Sequence, residues 1–163
     1  MGGLRVTLWT AAVIFVVDQI TKWFVVHFLN LKDLYFLPVW DPFLTFRMAW
    51  NEGINFGLFG DFDLHWWLVG LSVAISCLIA WWMWRDQPRR LTQVFAGCVI
   101  GGALGNSVDR VLYGAVADFL NMSCCGIENP WSFNVADIMI FVGAFGLILF
   151  PGDKTRDAGR STR

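Results

Sequence analysis

Four carboxylates stand inside or at the ends of long apolar stretches of this chain, at Asp18, Asp109, Asp118 and Asp137. An ionisable group at membrane depth costs several kcal/mol, roughly 2.5 to 3.5 on insertion scales, so it is seldom kept without a use. Two carboxylates in close contact cannot both ionise easily, and they share one proton. One of them can then act as general base on water while the other, protonated, hydrogen-bonds a carbonyl, as in aspartic-protease chemistry.

Asp118 and Asp137 are the best candidates for such a pair. Each ends the same three-residue sequence, in the segments Val116-Ala117-Asp118-Phe119 and Phe133-Asn134-Val135-Ala136-Asp137. We expect both aspartates to meet near the outer membrane surface and to be the catalytic residues. The alternative, that one aspartate caps a helix and the other pairs with Arg110, stays open from the residues alone.

Asp18 and Lys22 lie four residues apart, so they share one face of a helix. They form either a local ion pair that neutralises both charges or a pair that shapes the electrostatics of a site. In a third alternative, Lys22 extends its ammonium group towards the membrane surface.

The segment from Gly101 to Arg110 contains two rows of residues at four-residue spacing. The row of glycines predicts a close helix–helix contact. It consists of Gly97, Gly101 and Gly105. The second row, which runs through Gly102, ends in Asn106 and Arg110, and these can donate hydrogen bonds into a polar cluster. Arg110 is always charged and needs an acidic partner or a phosphate.

Composition restricts the class of protein. Hydrophobic residues make up 56% of the 163 residues and charged residues 15%, which is too apolar for a soluble domain. The stretch from Trp66 to Trp84 has no charge and is long enough to cross a bilayer. The net charge of −1 gives no indication of nucleic-acid binding. Adjacent Cys124 and Cys125 can bridge only with strain, so we expect free thiols.

The sequence predicts an α-helical membrane protein with four transmembrane helices in a single domain, residues 1–163. The predicted spans are residues 7–28, 65–84, 91–111 and 132–150. Basic residues concentrate before the first span, between the second and third, and after the fourth, so both termini are expected in the cytoplasm. Residues 151–163 would be a cytoplasmic tail.

The outer segments, 29–64 and 112–131, differ in their expected structure. Aromatic and β-forming runs in the first, punctuated by proline and glycine, predict a small β-rich extracytoplasmic platform between helices 1 and 2. The second predicts a short extracytoplasmic loop or helix between helices 3 and 4. Within the platform, the segment from Asn51 to Gly57 is typical of a glycine-rich turn.

Taken together, these motifs resemble the lipoprotein signal peptidase (signal peptidase II) family of bacterial membrane aspartyl proteases. The resemblance covers nearly the whole chain in order. It rests on Asp18-Gln19-Ile20-Thr21-Lys22, Asn51 to Gly57, Gly101 to Arg110, Val116-Ala117-Asp118-Phe119 and Phe133-Asn134-Val135-Ala136-Asp137. One position departs from the family pattern, since Asn55 stands where the family usually has Ala.

The resemblance implies that Asp118 and Asp137 are the catalytic dyad. It also implies supporting or substrate-binding roles for a set of polar residues and one glycine. These are Asp18, Lys22, Asn51, Gly53, Asn106, Arg110 and Asn134. No metal and no cofactor are expected, and one monomer contains the complete site.

The implied substrate is a prolipoprotein whose lipobox cysteine already carries diacylglycerol, cleaved just before that cysteine. The implied location is the bacterial inner membrane, with the active site near its outer, periplasmic face and in contact with membrane lipid. Two other functions remain: a small proton-coupled transporter, since acids within the membrane also mark transport paths, and a non-enzymatic assembly factor. The clustering of the charges at one depth favours the enzyme.

Overall fold

A computed structural model of the chain describes residues 2–53, 64–126 and 128–152. The helices are α1 (Gly2–Trp23, continued by a π-helical turn, Phe24–Phe28), α2 (Leu31–Leu34), α3 (Leu64–Asp86), α4 (Arg90–Tyr113) and α5 (Val135–Leu149). The strands are β1 (Phe36–Trp40), β2 (Leu44–Asn51) and β3 (Val116–Met122).

Among the residues that the structure describes, three helical segments are long and apolar enough to cross a membrane, namely Leu4–Phe28, His65–Asp86 and Arg90–Tyr113. They agree with the first three predicted spans and confirm a mostly helical membrane protein. Only 11% of the apolar window of α3 is buried inside the protein, as expected for a helix that faces lipid.

The fourth apolar helix is shorter than predicted. α5 begins at Val135 and not at residue 132, because Asn134 is its N-cap and the residues before it are extended. Its 15 residues span about 22 Å at the usual helical rise, less than the roughly 30 Å of a bilayer core. The fourth span therefore stays a prediction.

α4 is the central helix and packs against α1, α3 and α5. Its glycine row makes the predicted close helix–helix contact, and α1 is the partner: a Cβ added at Gly101 would lie 2.5 Å from the carbonyl oxygen of Ala11, and one at Gly105 would lie 2.6 Å from Asp18 Oδ2. Glycine is therefore needed for the backbones of α1 and α4 to approach this closely.

The three strands form one antiparallel sheet in the order β1-β2-β3. The prediction of a loop or short helix for residues 112–131 was therefore wrong, because residues 116–122 are the third strand of the platform. Strand β3 pairs with β2, with Ala49 opposite Asp118 and Asn51 opposite Val116. This register brings the end of β2 beside Asp118.

A small apolar core joins the sheet to the C-terminal end of the first helix. Its buried members come from the π-helical turn, α2, β2 and β3: Val25, Val26, Leu31, Met48, Ala117 and Phe119. The ring of Phe119 packs edge-to-face on Phe46, with 5.7 Å between the ring centroids. This core anchors strand β3 to the helices.

The segments that connect the long helices differ from the predictions at one point and are only partly described at another. Cys124 and Cys125 form a disulfide, so the expectation of free thiols was wrong. The part of the second motif that contains Asn55 and Gly57 lies outside the described residues.

Candidate active site

Asp137 lies in the first turn of α5, where it forms a capping box with Asn134. The Asn134 side chain accepts a hydrogen bond from the Asp137 amide at 2.9 Å, and Asp137 Oδ2 accepts one from the Asn134 amide at 3.3 Å. The other oxygen of Asp137, Oδ1, accepts a hydrogen bond from Asn106 Nδ2 at 2.8 Å. Asp137 thus caps a helix, as the alternative interpretation required, and also joins a polar network.

Asp118 lies in strand β3 and is 2% exposed. Its Oδ1 accepts a hydrogen bond from Asn134 Nδ2 at 2.6 Å, and its Oδ2 accepts one from Asn51 Nδ2 at 3.0 Å. Burial, and after it the negative charge of Asp137, raise the pKa of Asp118 to about 6. The hydrogen bonds from Asn51 and Asn134 oppose this shift because they favour the ionised form.

Two asparagines connect the carboxylates of Asp118 and Asp137. Asn134 Nδ2, which donates to Asp118, also donates to Asn106 Oδ1 at 3.2 Å, and Asn106 in turn donates to Asp137. Both asparagines are buried, so water does not compete for these hydrogen bonds. The network orients the two carboxylates with respect to each other.

Lys22 lies at the centre of a buried ion cluster. Its Nζ is 2.8 Å from Asp18 Oδ2, 2.8 Å from Asp109 Oδ2 and 2.9 Å from Asn106 Oδ1. The local ion pair predicted from the spacing of Asp18 and Lys22 is present, and a second acid and the dyad-linking Asn106 extend it. Buried charges need such multiple partners, since an uncompensated one is strongly destabilising.

Sequence reasoning did not assign Asp109 or Gln19 to the site. Asp109 Oδ2 accepts a hydrogen bond from the Ala117 amide at 3.2 Å, and Gln19 Nε2 is 3.2 Å from both Asp18 Oδ2 and Asp109 Oδ1. The signal was available, because Asp109 is one of the four acids in apolar surroundings and Gln19 is part of the first motif.

Arg110 and Gly53 complete the set of predicted site residues. Arg110 Nη1 donates to the Asn106 carbonyl at 3.3 Å, and its Nε is buried without a partner in the part of the chain that the structure describes. No carboxylate among those residues lies within 4.0 Å of Arg110, so the alternative ion pair with a dyad aspartate is absent there. The Gly53 amide donates to Asn51 Oδ1 at 3.0 Å, and its φ of 96° suits a glycine turn that orients Asn51.

The structure thus brings the predicted site residues into one hydrogen-bonded neighbourhood drawn from α1, β2, α4, β3 and α5. Within the described residues, no group of three or more His, Cys, Asp or Glu side chains is arranged to hold a metal ion. The chemistry available is that of two neighbouring carboxylates with different burial, surrounded by amide donors and one guanidinium group.

Comparisons with known proteins assign the chain to a family. The family model for signal peptidase (SPase) II matches residues 10–151. The lipoprotein signal peptidase of Methylorubrum extorquens (strain PA1) is 42% identical over 79% of this chain and 75% of its own length. That of Methylobacterium radiotolerans is 38% identical, over 100% of this chain and 93% of its own length.

Solved structures agree with this assignment at the level of the fold. One bacterial membrane enzyme matches with a TM-score of 0.75 at 26% identity, covering 88% of this chain and 90% of that one. A second matches with a TM-score of 0.72 at 24% identity, covering 96% of this chain and 94% of that one. The extent of the family match and the identity to the relatives lead to one conclusion: this chain belongs to the signal peptidase II family.

Proposed function

We propose that this protein is an aspartyl endopeptidase that removes the signal peptide from prolipoproteins, with Asp118 and Asp137 as its catalytic dyad. Membership of the signal peptidase II family supports peptidase activity, and the names of the relatives support a prolipoprotein substrate. The observation that carries the aspartyl mechanism is the link between the two carboxylates through Asn106 and Asn134.

In this mechanism Asp118 holds the shared proton and Asp137 acts as the general base. Asp118 is almost completely buried and Asp137 is only partly buried, and burial disfavours a charged carboxylate. The pKa of Asp118, raised to about 6, likewise favours the protonated form of this residue. Both carboxylates accept hydrogen bonds from amide groups at each oxygen, so the difference in burial is what distinguishes them.

The reaction then follows from these two protonation states. Asp137 takes a proton from water as the water oxygen attacks the scissile carbonyl carbon, while Asp118 donates a hydrogen bond to the carbonyl oxygen. Collapse of the tetrahedral intermediate breaks the C–N bond, and the leaving amine takes up the proton from Asp137. The amine produced is the new N-terminus of the mature lipoprotein, at its cysteine.

Asn51 and Arg110 support this reaction in different ways. Asn51 orients Asp118 through a hydrogen bond, and the backbone turn at Gly53 orients Asn51. Arg110 interacts electrostatically with both Asp118 and Asp137, and its buried Nε has no partner among the described residues. We assign this free donor to a substrate carbonyl or a lipid phosphate.

The proposed topology is a single domain, residues 1–163, with four spans and both termini in the cytoplasm. α5 and its flanking aromatic residues form the fourth span, and the dyad lies near the periplasmic face of the bacterial inner membrane. A substrate anchored there by diacylglycerol and by its signal helix would present its scissile bond at the same depth. Every side chain of the site comes from one chain, which supports a monomer in contact with membrane lipid.

The test compares purified wild-type protein with Asp118→Asn and Asp137→Asn on a diacylglyceryl-modified prolipoprotein in lipid. Asp86→Asn, which removes a carboxylate at the cytoplasmic end of α3, is the matched control. We expect wild type and the control to release the signal peptide and both dyad variants to be folded but inactive. The same prolipoprotein without diacylglycerol should be cleaved poorly.

Each possible failure has its own meaning. Cleavage by both dyad variants at nearly the wild-type rate would exclude Asp118 and Asp137 as catalytic residues. Equal cleavage of lipidated and unlipidated substrates would exclude recognition of the lipid. No cleavage by the wild type under any of these conditions would refute the proposed peptidase function.

A further inference from the structure

The two dyad segments are held in the same way by two different buried acids. Asp18 Oδ1 accepts a hydrogen bond from the amide of Ala136, the residue before Asp137, at 2.9 Å. Asp109 Oδ2 accepts one from the amide of Ala117, the residue before Asp118, at 3.2 Å. Each catalytic aspartate is thus preceded by a backbone amide that is bound to a carboxylate of another helix.

Lys22 bridges these two acids. Its Nζ lies 2.8 Å from the carboxylate of Asp18 and 2.8 Å from that of Asp109, and it also binds Asn106. All three charged groups are at most 5% exposed. A single ammonium group therefore connects, through two carboxylates, the backbones on which both dyad side chains are mounted.

We propose that Lys22, Asp18 and Asp109 form a positioning clamp that sets the separation of the two dyad aspartates. This inference rests on the proposed function, because it assumes that Asp118 and Asp137 are the catalytic pair. Asp109 is the member of the clamp for which the motifs predicted no role. The three residues are positioning residues, since they act on the dyad through its backbone and through Asn106.

The fold explains why such a clamp is needed. Asp118 stands on a strand and Asp137 on the first turn of a helix, so no single element holds both. β3 is an edge strand of its sheet, and its outward amides need partners. The Phe133 carbonyl accepts from two of them, Phe119 and Leu120, and Asp109 accepts from Ala117. The clamp binds both the strand and the helix and so holds them in a fixed position relative to each other.

An ion cluster that served only to join α1 to α4 would not need these amide contacts. Ala136 lies in the first turn of α5, where a backbone amide has no partner within the helix, and Asp18 supplies that partner. In the structure each acid uses one carboxylate for two purposes, binding Lys22 and binding the amide beside a dyad aspartate. The geometry therefore couples the ion cluster to the catalytic residues.

The experiment reads the two amides directly. Protein labelled with ¹³C at the carbonyl of valine and ¹⁵N in alanine gives a signal only for an alanine that follows a valine. The chain has three such alanines, Ala74, Ala117 and Ala136. An amide bound to a carboxylate has its proton signal shifted downfield, so Ala117 and Ala136 report the two clamp contacts. Ala74, in the lipid-facing helix α3, is the internal control.

The clamp predicts a specific pattern of signal changes. Asp109→Asn should move the Ala117 signal upfield and leave Ala136 nearly in place, and Asp18→Asn should do the reverse. Lys22→Met should move both signals, although Lys22 contacts neither amide. Asp86→Asn should move neither. A Lys22→Met protein in which both amides keep their wild-type positions would overturn the clamp.

Kinetics then test whether the clamp acts on catalysis. With the lipidated prolipoprotein we expect Lys22→Met to lower kcat about 100-fold at unchanged KM, as a displacement of about 1 Å can do. Lys22→Arg should recover part of this loss. Amides that move in Lys22→Met while kcat stays at the wild-type value would also overturn the proposal. The proposed function fails on different results, namely when wild type does not cleave the substrate or when both dyad variants cleave it. The amide signals do not depend on enzymatic activity, so they test the clamp independently.

Discussion

Replacing Asp118 by Asn should change the pH dependence of stability in a direction that the burial of this residue determines. The folded protein raises the pKa of Asp118 from 3.8 to about 6, so it binds this proton more tightly than the unfolded chain does. The free energy of unfolding of wild type therefore contains a penalty that is absent below pH 3.8, grows between pH 3.8 and 6, and is complete above pH 6.

The size of this effect follows from the shift. One pKa unit corresponds to about 1.4 kcal/mol, so a shift of this size amounts to about 3 kcal/mol. Asn cannot ionise, and Asp118→Asn lacks the penalty. We expect the stability of the variant relative to wild type to increase by about 3 kcal/mol from pH 4 to pH 7, whatever offset the altered hydrogen bonds with Asn51 and Asn134 add.

Unfolding in detergent, followed by tryptophan fluorescence at a series of pH values, measures this difference. Asp86→Asn is the control, because Asp86 is a partly exposed residue at the end of α3. A difference between Asp118→Asn and wild type that stays constant from pH 4 to pH 7 would refute the reasoning. It would mean that Asp118 titrates in the folded protein as it does in the unfolded chain.

Three further predictions concern the surroundings of the dyad. Gly105→Ala places a Cβ 2.6 Å from a carboxylate oxygen of α1, so we expect slower cleavage and lower stability. Gly70→Ala is the control, because nothing lies within 4 Å of its added Cβ. Its free energy of unfolding should change by no more than about 1 kcal/mol, and its cleavage rate by no more than the corresponding factor. Asn51→Leu removes a hydrogen-bond donor that favours ionised Asp118, so the pKa of Asp118 should rise above 6. The decrease of kcat/KM at high pH should then move to higher pH, and a move to lower pH would contradict this. Asn106→Leu breaks the link within the dyad and leaves buried partners unpaired, so we expect unfolding to be easier by about 1 to 3 kcal/mol and cleavage to be lost; retained cleavage would exclude the link.

Much of the site could be predicted because its motifs have strong local signals. The spacing of Asp18 and Lys22 placed both on one helix face and offered their ion pair as one alternative, and the row that contains Gly101 and Gly105 predicted a close helix contact, which α4 makes with α1. The apolar lengths predicted four spans, and three of the corresponding helices are long and apolar enough to cross a membrane. In each case, residues close in sequence contain the whole signal.

The parts that the sequence did not predict depend on contacts between distant segments. Strand β3 has no strict alternation of apolar and polar residues, since Val116 to Phe119 are all buried, and its partner strand lies about 70 residues earlier. The role of Asp109 depends on a backbone amide at Ala117, which side-chain patterns do not reveal. The start of α5 was placed too early because the helix begins only after Asn134, which caps it together with Asp137.

The ion pair inside α1 also affects how the chain is assembled in the bilayer. Asp18 and Lys22 are one turn apart, so α1 compensates its own charges before any later segment has left the ribosome. α4 is synthesised later and ends with an acid, Asp109, that finds its cation on α1. The first helix to be inserted therefore already carries the cation that compensates the buried acid of a helix inserted later.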